Sequence, residues 1–99
     1  SDLNADGKYR LNLKISKATF ISLFENIPKR PAAGEVIDGN YNFSALDTVM
    51  PHPIYGWMTW VCAVNPTRET IDWMESQGLF EEAYQAAVMT MDKKIKALK

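Results

Sequence analysis

The most apolar stretch of this chain is segment 57–64, which reads Trp-Met-Thr-Trp-Val-Cys-Ala-Val and has Thr59 as its only polar residue. Apolar side chains occupy both alternating sets of positions. A strand with one face in water alternates apolar and polar residues, whereas a strand covered on both faces is apolar throughout. Segment 57–64 therefore predicts a central strand that other parts of the fold cover on both sides.

A second strand is predicted at residues 9–15, where apolar and polar residues alternate. Directly after it, Ser16 can cap a helix that Pro28 ends. The apolar residues of this helix recur at i, i+3, i+4 and i+7, and are Phe20, Leu23, Phe24 and Ile27. A strand that runs straight into a helix indicates a helix packed on one face of a sheet.

Two further helices are predicted after the central strand. The first begins at Asn65-Pro66, with Asn65 as cap and Pro66 at the first helical position, and Gly78 ends it. The second covers residues 80–98, and its apolar residues keep to one face for about five turns. They are Phe80, Ala83, Tyr84, Ala87, Val88, Met91, Ile95 and Leu98.

These elements predict one α+β domain over residues 1–99. Its sheet is small and antiparallel or mixed, and the long C-terminal helix packs across it. Segment 28–44 has the weakest signals for regular structure, although a short hairpin is possible over residues 36–43. Residues 45–50 can form a short strand, and Pro51 and Pro53 interrupt any strand pairing after it because proline has no backbone N–H.

The charge balance disfavours some partners. The chain has 11 Lys and Arg against 12 Asp and Glu, so its formal net charge is −1. Such a domain attracts nucleic acid and anionic membranes weakly. No apolar run approaches the ~20 residues that span a bilayer, and the single cysteine permits no internal disulfide. The sequence therefore predicts a cytoplasmic protein with no membrane partner.

The segment around the only histidine is the candidate binding site. His52 lies between two prolines, which restrict its backbone, and Asp47 and Tyr55 are close to it in sequence. His52, Tyr55 and Asp47 could supply polar contacts to a small ligand, and Trp57 a flat wall. The alternative is that His52 is a structural residue that pins its loop to the sheet.

No set of residues in the sequence matches a known catalytic or metal site. Cys62 lies inside the most apolar segment, so we interpret it as a core residue and not as a nucleophile. One histidine and one cysteine are too few for an ordinary zinc site, and no phosphate-binding or nucleophile-elbow motif is present. We predict no catalytic residue, no metal and no cofactor.

The signature His-Pro-Ile-Tyr-Gly-Trp-Met-Thr-Trp-Val-Cys at residues 52–62 resembles that of a bacterial family of unknown function. Members of that family are about 150 residues long, the size of one domain. Segments 9–24 and 45–52 are similar to the same family. The family is itself distantly similar to MmcQ/YjbR-like α+β domains. The resemblance implies that a part preceding the first strand is absent here, and it implies no activity.

Three functions follow as hypotheses. The first is a non-catalytic binding or interaction module that acts as a homo-oligomer, since a small sheet cannot easily cover three Trp, four Tyr and four Phe. The second is a small-molecule-binding or enzymatic pocket at segment 51–57. The third is nucleic-acid binding through Lys29-Arg30 and the lysines near the C-terminus, which the charge balance disfavours.

Overall fold

The computed structural model describes residues 7–98. Within that range the strands are β1 (Arg10–Lys14), β2 (Met50–Pro51) and β3 (Trp60–Val64), and the α-helices are α1 (Lys17–Phe24), α2 (Arg68–Ser76) and α3 (Leu79–Ala97). A short 3-10 helix covers Gly56–Met58. The predicted α+β class with a long C-terminal helix is confirmed.

The three strands form one antiparallel sheet in the order β1-β3-β2. The most apolar strand is central, as predicted, but it begins at Trp60 and not at Trp57. Residues 56–58 turn instead, because Thr59 has a left-handed backbone (φ 63°) and ends the 3-10 helix. Its hydroxyl donates to the Ile15 carbonyl at 2.6 Å, which attaches this turn to the end of β1.

The hydrophobic core lies on one side of the sheet, which we call the core face. Helix α1 contributes Phe20, α2 contributes Met74 and α3 contributes Leu79, and these pack with Leu13 of β1 and Val61 of β3. Phe20, Met74, Leu79 and Val61 are fully buried. Each of the three helices therefore contributes a buried residue to this face, which is the apolar face that the alternation in β1 predicts.

The start of α2 differs from the prediction. The helix begins at Arg68, and its cap is Thr67, whose hydroxyl oxygen accepts from the Thr70 N–H. Asn65 instead has a left-handed backbone (φ 44°), and its side-chain oxygen accepts from the Tyr9 N–H at 2.8 Å. The local sequence favours Asn65 as the helix cap, but its side chain instead accepts a hydrogen bond from Tyr9, which is distant in sequence.

Only the first part of α3 belongs to the core. Leu79 is buried there, and Phe80 and Ala83 pack against the same cluster. Five residues of the predicted apolar face are exposed: Tyr84, Ala87, Met91, Ile95 and Leu98. The second half of α3 therefore presents an apolar face that residues 7–98 do not cover.

Segment 28–44 folds without regular strands, so the hairpin considered at 36–43 is not formed. Ile37 is buried, and its N–H donates to the Pro53 carbonyl at 2.8 Å. The Arg30 guanidinium lies 4.9 Å from the centre of the Trp57 ring, a distance typical of a cation–π contact. Across residues 7–98, each helix is too short or too polar to cross a bilayer.

Candidate functional site

The side of the sheet opposite the core, which we call the open face, carries the polar residues of β1. Paired residues in antiparallel strands point to the same face. Asn12 pairs with Cys62 and Lys14 pairs with Trp60, so all four side chains share the open face. His52 extends this face past β2, since its N–H donates to the Trp60 carbonyl at 2.9 Å.

Two clefts adjoin on the open face. The first, which we call the histidine cleft, has a volume of about 350 Å³ and is lined by Asn12, His52, Tyr55, Met58 and Trp60. The second, the helix cleft, has a volume of about 370 Å³. Its lining consists of Asn12, Lys14 and Trp60 with Ala83, Ala86, Ala87, Thr90, Met91 and Lys94 of α3. Asn12 and Trp60 line both clefts.

His52 pins its own loop and also lines the histidine cleft. It is 5% exposed, and its Nδ1 accepts from the N–H groups of Ile54 at 3.1 Å and Tyr55 at 3.2 Å. An Nδ1 that accepts two hydrogen bonds carries no proton, so the proton of the neutral ring lies on Nε2. Burial, and secondly the charge of Arg10, lower the pKa of His52. The ring is therefore neutral near pH 7 and offers one N–H.

Two cations lie on the open face. Arg10 is two residues before Asn12 on β1, and its buried Nε has no hydrogen-bond partner among residues 7–98. Lys14 donates from Nζ to the Met58 carbonyl and, at 2.8 Å, to the Thr59 hydroxyl. Burial, followed by the nearby charge of Lys17, lowers the pKa of Lys14.

The four candidate residues lie in three places. His52 and Tyr55 are together, with ring centres 5.0 Å apart. Trp57 lies outside the histidine cleft and lines a neighbouring pocket with Tyr55 and residues 30–36. Asp47 lies outside the histidine cleft and lines another pocket with residues of α2.

Asp47 supports the start of α2. Its carboxylate accepts from the Thr67 N–H at 2.7 Å and from the Thr67 hydroxyl at 3.0 Å. The hydrogen bond from the Thr67 backbone, followed by one from Thr70, lowers the pKa of Asp47. The spacing along the chain that suggested a role beside His52 therefore does not bring the two side chains together.

The sequence analysis did not assign three of the five residues that line the histidine cleft. Asn12, Met58 and Trp60 form its floor and walls with the predicted His52 and Tyr55. The alternation in β1 already placed Asn12 on the polar side of a strand, and this was the available signal. Met58 gave no such signal, and Trp60 was interpreted as a core or interface residue, because an apolar segment predicts core positions wherever it occurs.

Cys62 is a buried thiol with no sign of activation. It is 2% exposed, and its Sγ lies 3.9 Å from the Pro51 carbonyl. Burial raises the pKa of Cys62 to about 11, so the thiol is protonated near pH 7. Within residues 7–98, no three His, Cys, Asp or Glu side chains are grouped as metal ligands.

In a comparison with protein families, residues 1–96 match DUF6194, described as a family of unknown function. This agrees with the resemblance to a family of unknown function, whereas the likeness to MmcQ/YjbR-like domains stays a prediction. No curated protein and no solved structure matches the chain.

Proposed function

Because the chain belongs to DUF6194, a family of unknown function, we propose from its geometry that it is a binding module that works as a homodimer. The observation that carries this proposal is the apolar face on the second half of α3. Two copies of this face would cover each other.

The apolar face of α3 has the spacing of a helix–helix seam. Its residues are separated by four, three, four and three positions, and they are Tyr84, Val88, Met91, Ile95 and Leu98. This is the spacing with which two helices pack along a shared line. Four of the five are at least 46% exposed in the single chain, and Leu98 is 87% exposed. We call this set the α3 seam.

Charge favours an antiparallel pair of α3 helices. The first turn of α3 carries Glu81 and Glu82, and its last turn carries Lys94 and Lys96. In an antiparallel pair the acidic turn of each helix lies beside the basic turn of the other, whereas a parallel pair places like charges together. A twofold pair of this kind uses the same seam on both copies, as a symmetric dimer requires.

Light scattering on the full chain tests the dimer. We expect a mass of about twice 11.2 kDa at micromolar concentrations. The variant Met91→Lys places a charge in the α3 seam, so its mass should fall towards that of one chain. Met89→Lys is the matched control, because Met89 is equally exposed on the same helix but lies outside the seam.

A wild-type chain that stays at 11.2 kDa contradicts the proposal. So does a Met91→Lys variant that keeps the dimer mass. Helix content by circular dichroism is measured for both variants, so that a change of mass is assigned to the interface and not to a loss of folding.

Small-molecule binding at the histidine cleft is a second candidate function. The observation that favours it is that His52 presents Nε2–H, without a hydrogen-bond partner among residues 7–98, at a cleft walled by Tyr55 and Trp60. A concave site with aromatic walls and a few oriented polar groups is the usual form of a ligand pocket. Asp47 and Trp57 lie outside the cleft, so their proposed ligand contacts have less support than those of His52 and Tyr55.

A further inference from the structure

The open face is rich in hydrogen-bond donors. His52 offers Nε2–H, and the Nε–H of Arg10 is buried without an acceptor among residues 7–98. Asn12 and Trp60, whose side chains carry an amide and an indole N–H, also line the histidine cleft. A buried donor without an acceptor is costly. Arg10 is not part of the lining of either cleft, but its charge acts on His52, so its unpaired Nε–H and the donors of the histidine cleft together favour an acceptor group on this part of the open face.

The charges of the same face are of one sign. Arg10 and Lys14 lie on β1 at either side of Asn12, and Lys94 of α3 lines the helix cleft. Neither cleft has an Asp or Glu in its lining. The chain as a whole carries a net charge of −1, so this face differs in sign from the whole molecule. An anion is attracted to such a site and a cation is repelled.

The walls of the histidine cleft are suited to a flat molecule. Tyr55 and Trp60 supply aromatic faces, and Met58 adds a thioether that packs well against rings. Tyr55 is half exposed, so its ring can be covered by a ligand.

We infer that the histidine cleft binds a small planar organic anion. Its ring lies between Tyr55 and Trp60, and its carboxylate or phosphate faces the donors of the open face. This inference rests on the second candidate function, and it adds the chemical class of the ligand.

Titration of the ¹⁵N-labelled full chain tests the inference, with 2-naphthoate as a planar anion, 2-naphthamide as its neutral match, and inorganic phosphate as an anion without a ring. The Trp60 indole N–H reports binding, and the Trp73 indole is an internal reference outside both clefts. We expect 2-naphthoate to shift Trp60 and to bind at least about tenfold more tightly than the amide, as one charge-assisted hydrogen bond would give.

Two variants then test which cation causes the tighter binding of the anionic probe. Arg10→Gln and, separately, Lys14→Gln should weaken 2-naphthoate by about tenfold and leave the amide unchanged. Arg68→Gln is the control, because Arg68 is an exposed cation on α2 whose salt bridge to Asp72 is remote from the clefts. Lys14 also ties β1 to the turn at Thr59, whereas Arg10 Nε has no hydrogen-bond partner among residues 7–98, so Arg10→Gln tests the charge without breaking a hydrogen bond of that atom.

The outcomes separate the two claims. If 2-naphthoate and 2-naphthamide bind equally tightly at Trp60, the histidine cleft is a binding site, but the inference that its ligand is an anion is wrong. If inorganic phosphate binds as tightly as 2-naphthoate, the inference that the ligand has a planar ring is wrong. If no probe shifts the Trp60 signal, both the proposed ligand class and the proposed binding site at the histidine cleft are wrong.

Discussion

At the scale of the residue, His52 combines two roles that the sequence presented as alternatives. Nδ1 holds the N–H groups of Ile54 and Tyr55, while the edge with Nε2 contributes to a cleft. Protonation of Nδ1 would remove its ability to accept, and both backbone donors would lose their partner. The conformation of the loop is therefore coupled to the neutral form of the ring.

This coupling predicts that stability depends on pH near neutrality. The pKa of His52 is lowered in the folded chain by burial and then by Arg10, so between that pKa and its ordinary value of 6.5 the unfolded chain binds more protons. The stabilising effect is present above pH 6.5 and is lost as the pH falls through the folded pKa. We expect the melting temperature to decrease as the pH is lowered below 6.5.

The variant His52→Gln checks the assignment, because it removes the titrating group and should flatten the pH dependence in that window. Asp47 and Glu82, whose pKa values are also lowered, titrate below their ordinary values of 3.8 and 4.5 and act at lower pH. An unchanged slope in the variant would assign the effect to another group.

The residues of the site were partly accessible from the sequence. The alternation in β1 predicted that Asn12 lies on a polar face, and the prolines around His52 marked its loop as rigid. The partner of Asp47 was not accessible, because Thr67 is 20 positions away and the contact depends on how β2 and α2 are placed. Side chains that meet only through tertiary structure leave no local pattern.

At the scale of the element, the ends of helices depend on specific side chains. Ser16 caps α1 as predicted, and its hydroxyl oxygen accepts from the Thr19 N–H at 3.2 Å. The corresponding prediction for Asn65 was wrong, because Asn65 binds Tyr9 and Thr67 caps α2. The sequence thus predicted that α2 exists and where it stops, but two neighbouring residues could both cap it and only the fold selects one.

Thr67→Ala is predicted to lower the free energy of unfolding by about 1 kcal/mol, the usual effect of losing a helix cap. In a domain of this size that is a fall of several degrees in melting temperature. Chemical denaturation measures it. Thr90→Ala makes the same chemical change inside α3, where the hydroxyl bonds only the Ala86 carbonyl, and should not lower stability. Equal losses in the two variants would contradict the capping role of Thr67.

At the scale of the whole molecule, the chain is less compact than its length allows. The radius of gyration is 14.5 Å, against about 13 Å for a domain of 100 residues. Helix α3 explains the difference, since 19 residues extend for about 28 Å and only the first turns join the core. The sequence predicted the length of α3 and its apolar face. It could not predict whether that face is covered by the sheet of the same chain or by a second chain.

The proposed dimer predicts that thermal stability depends on protein concentration. Association stabilises the folded chain by mass action, so the melting temperature should rise from about 1 µM to about 100 µM. Scanning fluorimetry over that range measures it, and Met91→Lys should remove the dependence while Met89→Lys keeps it. A melting temperature that is constant for the wild-type chain would oppose association through the α3 seam.

The strand order β1-β3-β2 has a consequence for the time course of folding. Ile15 and Thr59, which join β1 to the turn before β3, are 44 positions apart, so a long loop must close before the sheet can form. Non-local pairing of this kind slows folding, while α2 and α3 are neighbours in the chain and can associate early. During that delay β2, which is close to β3 in sequence, can pair with one edge of the most apolar strand, but the edge that β1 covers has no partner. We therefore expect the yield of refolding to decrease as the protein concentration rises, because the unpaired edges of β3 segments of different chains meet before β1 arrives.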